Sequence, residues 1–563
     1  TRVPEGSSAL AGVGCHLMAA WMDRGTLTIS QMGGEGVAWL GLSGHAGTRH
    51  VFANMGDGTY FHSGLLAIRA AVAAEVAITY KILYNDAVAM TGGQPLDGQL
   101  SVPQLTRQLA AEGVRRIVVL ADDLGKYPRD AGFAAGVELR PRTALDAVQR
   151  ELRELPGVTA LIYDQTCATE LRRRRKRGVL PESKTHVFIN EALCEGCGDC
   201  AVKSNCLSVV PVATEFGTKR AIDGFSCNQD LSCLEGCCPA LVSVEGNRRQ
   251  HTAPAGGVDE SALPQPLLPP LDTPWSLLVA GVGGTGVVTI GALLGMAAHL
   301  DGLGVTVLDV TGLAQKGGAV LSHVRIARDA DTLHAVRIAP GDADALLGGD
   351  LLVAAAPDTL RRLRRDGGRA IVNTAQTITG DFLRDPDLQM PSDATLARLQ
   401  ATLGKAAVEA LDATRLATLL LGHPVATNMF MLGLAWQRGL VPVSRQALLR
   451  AVQLNGVAVD ENQRAFAWGR QAACDPVATA AAAAALEQLP AARRLSTSLD
   501  ERIERRCAAL VAYQGRTGAR DYAALLVRVR AAEQRACPGS ERLADAVAHQ
   551  AWRLIAHKDV YEA

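Results

Sequence analysis

Apolar positions in the first third of the chain follow two rhythms. Short continuous runs at 50–54, 78–84, 116–121 and 158–163 have the length of strands buried on both faces. Between them, 63–74 and 102–112 carry the wider period of helices with one apolar face. Strand and helix in alternation predict a parallel α/β domain. A second alternation opens at Trp275. The 26 residues 275–300 hold no Asp, Glu, Lys or Arg, which is long enough for a membrane span. Yet they contain Gly281, Gly283, Gly284, Gly286, Gly291 and Gly295, and an apolar strand runs straight into the first of these. A buried strand–turn–helix explains that pattern better, and no membrane segment is expected. The second α/β pattern continues to about residue 470. From 475 to 563 the chain is rich in Ala, Leu and Arg and helical in pattern; the six alanines 480–485 signal helix propensity and nothing chemical. No internal repeat is evident.

Two stretches fit neither rhythm. Residues 251–274, rich in Pro, Gly and Ala, read as a linker. The basic run 172–177 reads as a solvated connector, or alternatively as a docking patch for an acidic partner. Between them, 182–248 holds eight of the thirteen cysteines. The expected organisation is therefore an α/β domain at 1–180, a cysteine domain at 182–250, a linker at 251–273, a second α/β domain at 274–470 and an incomplete helical domain at 471–563.

Composition narrows the function. The 563 residues leave room for three or four domains. Lys plus Arg and Asp plus Glu number 57 each, so there is no net field to grip nucleic acid. Aromatics at 4% leave few platforms for base stacking. Clustered cysteines in a long chain that opens Thr1-Arg2-Val3-Pro4, with no secretory leader, point to a metal site in a reducing, cytoplasmic compartment.

The spacing Cys194-Glu-Gly-Cys197-Gly-Asp-Cys200 gives three thiolates two residues apart, as a loop wrapping three corners of a 4Fe–4S cubane requires. Zinc sites more often pair two distant Cys-x-x-Cys units. Cys206 follows after five residues, where simple ferredoxins have three; Cys227, Cys233, Cys237 and Cys238-Pro239 complete the set. In two-cluster ferredoxins the Cys before Pro ligates the partner cluster. On that logic Cys194, Cys197, Cys200 and Cys238 hold one cluster. Cys206, Cys227 and Cys233 are left for a second, with Cys237 as candidate fourth ligand. The altered spacing leaves one cluster or two open.

In the first domain, Gly56-Asp57-Gly58 ends one apolar run and Asn85 ends the next, 28 residues after Asp57. A carboxylate and an amide oxygen at the C-terminal ends of two parallel strands can share one hard cation. Mg²⁺ takes oxygen ligands and draws part of its shell from a substrate phosphate. The flanking glycines let backbone N–H groups approach the anion. Here the text resembles a known family. Gly12-Val-Gly-Cys-His16, Gln31-Met-Gly-Gly-Glu-Gly36, Gly56-Asp-Gly-Thr-Tyr-Phe-His-Ser-Gly64 and Tyr84-Asn-Asp-Ala-Val-Ala-Met-Thr-Gly-Gly-Gln94 are similar to the 2-oxoacid:ferredoxin oxidoreductases, in particular their long fused indolepyruvate branch. The similarity runs along essentially the whole chain.

That resemblance implies thiamine diphosphate bound through Mg²⁺, with ligands from the Asp57 and Asn85 side chains and the Ala87 carbonyl. Gly56, Gly58 and Thr59 would line the diphosphate, and Thr91, Gly92, Gly93 and Gln94 would close over it. Gly14, Cys15 and His16, together with Gly33, Gly34 and Gly36, would border the cofactor. Cys15, His16 and His62 are the catalytic candidates. The alternative readings are a small buried hydrophobe for Cys15 and a satisfied core or helix-cap histidine for His62. The implied reaction is oxidative decarboxylation of an aryl 2-oxoacid, with coenzyme A taking the acyl group and electrons passing through the clusters to ferredoxin. The implied fold is a thiamine-diphosphate-binding parallel-sheet domain, a small ferredoxin-like iron–sulfur domain, a Rossmann-like gamma-type domain and a helical tail. The family's other thiamine half, which carries the activating carboxylate, is expected ahead of Thr1 or on a separate partner, and an oligomer is expected.

One motif pulls elsewhere. Gly281-Val-Gly283-Gly-Thr-Gly286 opens a helix after a strand, and Asp309 ends the next strand, 23 residues after Gly286. Read alone, this matches a dinucleotide fingerprint. It supports an NAD(P)-linked iron–sulfur reductase as an alternative, with a non-catalytic electron-transfer subunit as another. In the resembled family the same turn, followed by Gln315-Lys316-Gly317-Gly318, is not a nucleotide site, which leaves a packing turn or an anion site.

Overall fold

Seven strands form a sheet in which every neighbouring pair runs parallel. In the computed structural model, which describes residues 2–90, 98, 100–235, 238–246, 256–312, 317–383, 385, 388, 390–487 and 493–556, they are β1 (Ala9–Ala11), β2 (Thr26–Ile29), β3 (Val51–Gly56), β4 (Ile78–Tyr84), β5 (Arg116–Ala121), β6 (Glu138–Pro141) and β7 (Val158–Asp164). Their order is β2-β1-β3-β4-β7-β5-β6. Side chains alternate across a strand, so Ala53, Met55, Ile78, Tyr80, Ile82, Ala160 and Ile162 share a core with Ile68 and Ala71 of the helix Leu65–Ala73 and with Leu105 and Leu109 of Val102–Ala111. On the other face Val118, Leu120 and Leu161 meet Val148 and Leu152 of the helix Leu145–Arg153. Ser101 caps Val102–Ala111 reciprocally with Gln104. The helix expected at 63–74 runs Leu65–Ala73, and a π-helical turn, Tyr60–Gly64, precedes it.

The basic run is not an open connector. It lies in the helix Ala168–Lys176, whose Arg172 donates to the Ser226 and Phe225 carbonyls and whose Arg175 donates to the Asn228 carbonyl. Beyond it come two separate antiparallel ladders. One pairs β8 (Thr185–Ile189) with β11 (Leu241–Glu245), the other β9 (Val209–Thr214) with β10 (Gly217–Ile222). The core between them is small: Ile189, Cys194, Ala201, Val209 and Ala240 are buried, with Cys200, Cys206 and Cys238 packed against them.

The second sheet has the order β13-β14-β12-β15-β16-β17, built from β12 (Trp275–Val282), β13 (Gly304–Thr311), β14 (Ala319–Ala327), β15 (Ala345–Gly348), β16 (Arg369–Asn373) and β17 (Val408–Leu411). β14 runs antiparallel to both β13 and β12, while the remaining pairs are parallel. The Rossmann-like expectation is corrected here: this is a mixed sheet with one reversed strand, β14, second from its edge. The apolar stretch from Trp275 is β12 followed by the helix Val287–Leu300, and no helix among the described residues is long and apolar enough to cross a membrane. The described part of the expected linker packs on this unit: Glu260 pairs with Arg445 (2.6 Å) and Arg470 (2.8 Å), and Gln437 donates to the Pro264 carbonyl. The tail is helical, in Pro476–Leu486, Leu499–Gln514, Arg516–Ala536 and Arg542–Ile555.

Candidate functional site

Parallel strands end at one edge, and there the sheet gathers its polar groups. β3 and β4 are neighbours in register, Gly56 opposite Leu83, so the residues that leave them, Asp57 and Asn85, leave side by side. Asp57 is buried. Its Oδ1 accepts from the Gly58 N–H (2.9 Å), and its Oδ2 accepts from the N–H groups of Asn85 (2.9 Å) and Asp86 (2.8 Å). Burial raises the Asp57 carboxyl above its ordinary range, against the pull of these three donors. Beside it, Asn85 Oδ1 is buried with no hydrogen-bond partner. Asp86 sits in the left-handed region at φ +60°. Such a conformation is uncommon outside glycine and here turns the chain between Asn85 and the buried Ala87. A buried amide oxygen without a donor next to a buried carboxylate is costly alone and fits a hard cation.

The ends of β1 and β2 face this loop. The Thr59 hydroxyl donates to the Val13 carbonyl at 3.4 Å, tying the Asp57 turn to the 12–16 loop. His16 is buried, and its Nε2 accepts from the Gly12 N–H at 3.2 Å, which places the ring proton on Nδ1. Burial pushes its pKa down to about 4, so the ring is neutral near pH 7. A Cβ at Gly14 would lie 2.7 Å from that ring. Cys15 is half-buried at the start of the 3₁₀ helix Cys15–Trp21. Gly33 and Gly36 both take left-handed φ; a Cβ at Gly33 would run into Ser63 and one at Gly36 would reach Tyr80. A Cβ at Gly34 would reach Gln31. His62 is exposed and bonds its neighbour Ser63 (2.8 Å), so it is not a core histidine. Thr91, Gly92, Gly93, Gln94, Cys237, Gln315 and Lys316 lie outside the described residues.

Sequence reasoning passed over two groups at this edge. Glu35 is fully buried between the glycine loops: Oε2 accepts from the Gly33 N–H (2.8 Å), Oε1 has no hydrogen-bond partner, and a Cβ at Gly12 would collide with it. Burial raises its pKa. An acid among three glycines, Gly33, Gly34 and Gly36, with no cation nearby in sequence was the available signal. Asp164, ending β7, pairs with Lys126 (2.7 Å) and accepts from the Tyr127 hydroxyl; its signal was an acid closing an apolar run.

The cysteines fall into two sets. Burial, then the neighbouring Cys238, Cys194 and Cys197 sulfurs, pushes the Cys200 thiol up to about 11. Burial, then Cys206 and Cys227, does the same to Cys233. Backbone N–H groups already point at sulfur: Gly196 (3.4 Å) and Arg220 (3.3 Å) at Cys194, and Gln229 (3.4 Å) at Cys227. Among the described residues no three His, Cys, Asp or Glu side chains are arranged to hold one metal ion. A cubane does not ask for that, because each thiolate binds a different iron corner. The N–H groups aimed at sulfur are what such a cluster uses, so these cysteines fit one.

The glycine turn after β12 does not read as a dinucleotide site. In that fold the acid sits on the strand beside the first. Here β14 occupies that place, and Asp309 lies on β13, one strand further out and close to Gly291 of the helix. The space a side chain at Gly286 would need is filled by Asn428, and the Gly283 N–H donates to the Gly318 carbonyl (2.9 Å). The glycines serve packing, and the NAD(P) alternative loses its ribose-binding acid.

Comparison with known proteins gives matches of the same character. The family described as thiamine pyrophosphate enzyme, C-terminal TPP binding domain, matches residues 12–160, and pyruvate ferredoxin/flavodoxin oxidoreductase matches 276–472. A family of unknown function matches 499–563. Indolepyruvate oxidoreductase subunit IorB of Methanothermobacter thermautotrophicus is 29% identical over 205 residues, 36% of this chain and 98% of that protein. Subunit IorA of Pyrococcus horikoshii is 25% identical over 244 residues, 40% of this chain and 35% of that protein, so the chain spans about a third of the IorA length. Among solved structures, pyruvate oxidoreductase subunit PORC of Thermotoga maritima aligns at 20% identity and TM-score 0.26, over 36% of this chain and 97% of that one. The 2-oxoglutarate:ferredoxin oxidoreductase of Magnetococcus marinus aligns at 15% and 0.27, over 48% and 43%.

Proposed function

The chain belongs to the indolepyruvate ferredoxin oxidoreductase family, and from that premise we propose that it takes part in oxidative decarboxylation of an aryl 2-oxoacid to CO₂ and an acyl-coenzyme A, with ferredoxin as electron acceptor. The observation that carries this reading is the buried, donorless Asn85 Oδ1 beside the Asp57 carboxylate at adjoining strand ends. Asp57 and Asn85 side-chain oxygens and the Ala87 carbonyl would hold Mg²⁺, and Gly56, Gly58 and Thr59 would line the diphosphate. Thiamine diphosphate, when bound, supplies the electron sink for loss of CO₂. The chain's own residues hold and orient it. The three N–H groups on Asp57 fix its carboxylate, the small Gly14 leaves the His16 ring its place, and neutral His16 offers its Nδ1–H rather than a charge. Cys194, Cys197, Cys200 and Cys238 would hold one 4Fe–4S cluster, and Cys206, Cys227 and Cys233 a second, with Cys237 as candidate fourth ligand. Residues 1–180, 182–250, 274–470 and 471–563 would be the thiamine, iron–sulfur, gamma-type and tail domains. The relatives are named as subunits, which supports work with a further polypeptide.

The test is a titration of the anaerobic chain with thiamine diphosphate, with and without Mg²⁺, followed by tryptophan fluorescence. Mg²⁺-dependent binding is expected, weakened on the order of a hundredfold or more in Asp57→Ala. Binding that ignores Mg²⁺, or that survives the substitution, would sink the proposal. Reduction of a viologen dye with indolepyruvate and coenzyme A then tests the substrate class.

A further inference from the structure

We propose that the C-terminal helices, a region matched by a family of unknown function, are a clamp that grips the β9–β10 hairpin and through it fixes the backbone around Cys194. The hairpin turn is Glu215-Phe216, a two-residue connection that would ordinarily stand in water. Here Glu215 is almost fully buried. Its carboxylate faces Arg505 (3.4 Å), Arg506 (3.7 Å) and Arg502 (4.0 Å) of the helix Leu499–Gln514 and accepts from the Ser496 N–H (2.7 Å). Arg506, itself buried, also donates to the Glu215 carbonyl (2.7 Å) and to the Ala548 carbonyl of the last helix (2.8 Å). Beside it the Phe216 ring packs on Trp552 with centroids 4.9 Å apart. A buried acid met by three guanidiniums is costly to assemble unless its geometry is fixed, and such pairs serve register better than stability.

The far end of the hairpin shows what is being registered. β10 runs from this grip directly onto the first cysteine loop. The Arg220 N–H donates to Cys194 Sγ, its guanidinium donates to the Gly196 carbonyl (3.2 Å), and Lys219 Nζ donates to the Cys194 carbonyl (2.5 Å). The space beside Gly196, at φ +77°, is closed by the Thr218 carbonyl. A second arm of the tail reaches the same loop: Arg493 pairs with Glu191, three residues before Cys194. The tail therefore touches the loop at its start and positions the strand that donates to its first sulfur. Donors to sulfur tune an iron–sulfur potential, so Glu215 and Arg506 are positioning residues for the cluster. That last step rests on the function proposed above; the mechanical clamp does not.

The experiment uses the full chain, prepared anaerobically, as Glu215→Gln and Arg506→Met singly and together. Hydrogen exchange read by mass spectrometry should rise on the order of a hundredfold in 209–222 and 193–200, the consequence of an unpaired buried charge. The two α/β sheets should keep their protection, and the double variant should recover part of the loss. A reductive titration followed by electron paramagnetic resonance should show one cluster's potential displaced and the other's unchanged. Unchanged exchange in 209–222, or a loss spread evenly over both sheets, overturns the clamp. A chain that never incorporates iron refutes the proposed function, while the exchange result still decides the clamp.

Discussion

Glu35 and Asp57 are both buried carboxyls at one sheet edge, and they differ in what surrounds them. Asp57 collects three N–H donors and sits beside an amide oxygen that lacks one. Glu35 Oε2 accepts from the Gly33 N–H, and Oε1 has no side-chain or loop donor beside it. Burial is the largest influence on Glu35 and raises its pKa against the pull of its backbone donors. A carboxyl whose folded pKa is raised binds more protons folded than unfolded once pH exceeds the unfolded value near 4.3. Its contribution is therefore present below that pH and lost as pH rises through the folded value. Glu35→Gln should flatten this decline in a chemical-denaturation series across pH, at little cost near its acid end. Glu35→Ala should cost about 2–3 kcal/mol, since it orphans the Gly33 N–H and opens a cavity. Equal stability of the Ala and wild-type chains would show that the site collapses freely. Asp57 and Asn85 were legible in the sequence because each closes an apolar run and glycines bracket the first. Glu35 was not, because three neighbouring glycines direct attention to the backbone.

Between elements, a close approach is made by two glycines that no periodicity marks. Gly433 in the helix Thr427–Gln437 faces the Phe466 carbonyl, and Gly469 in Val459–Cys474 faces the Phe430 carbonyl, each too close for a Cβ. The contact is reciprocal, so the helices meet backbone to backbone, and around it Phe430, Trp436 and Phe466 fill the largest core of the molecule. The obstacle to a methyl group is main chain, which cannot rotate away as a side chain does. Gly433→Ala and Gly469→Ala should each cost about 3 kcal/mol. Because one shared crossing is displaced, the double variant should cost less than the sum; strict additivity in thermal or denaturant unfolding would contradict that geometry. Four strands of the first sheet, β3, β4, β5 and β7, were readable to within about two residues because their runs are continuous and largely buried, whereas the short β1, β2 and β6 were not read. The reversal of β14 was not, since an apolar run carries no sign of its direction. That one strand separates Asp309 from the glycine turn and so changes the chemistry inferred from it.

At the scale of the molecule, the cysteine module is the piece with least support of its own. Five buried side chains form its centre, three of them Cys or Ala, whereas the flanking sheets build cores of dozens. No disulfide joins the described cysteines, so none supplies the missing staple, and a module of this size needs one. Its outer contacts are borrowed: Arg172 and Arg175 hold the 225–228 loop from one side, and Glu215 and Phe216 are held from the other. Bound iron would join the loops that these contacts only approach, and folding and metal binding would then be one equilibrium. Stripping iron with an oxidant and chelator should release the module while the sheets on either side keep their cores. Limited proteolysis of the stripped chain should cut within 182–246 first and leave fragments containing 9–164 and 275–474 resistant. The iron-replete chain should resist at all three. If the stripped chain is cut no faster within 182–246 than the loaded one, the module stands on protein contacts alone, and the cysteines are not what closes it.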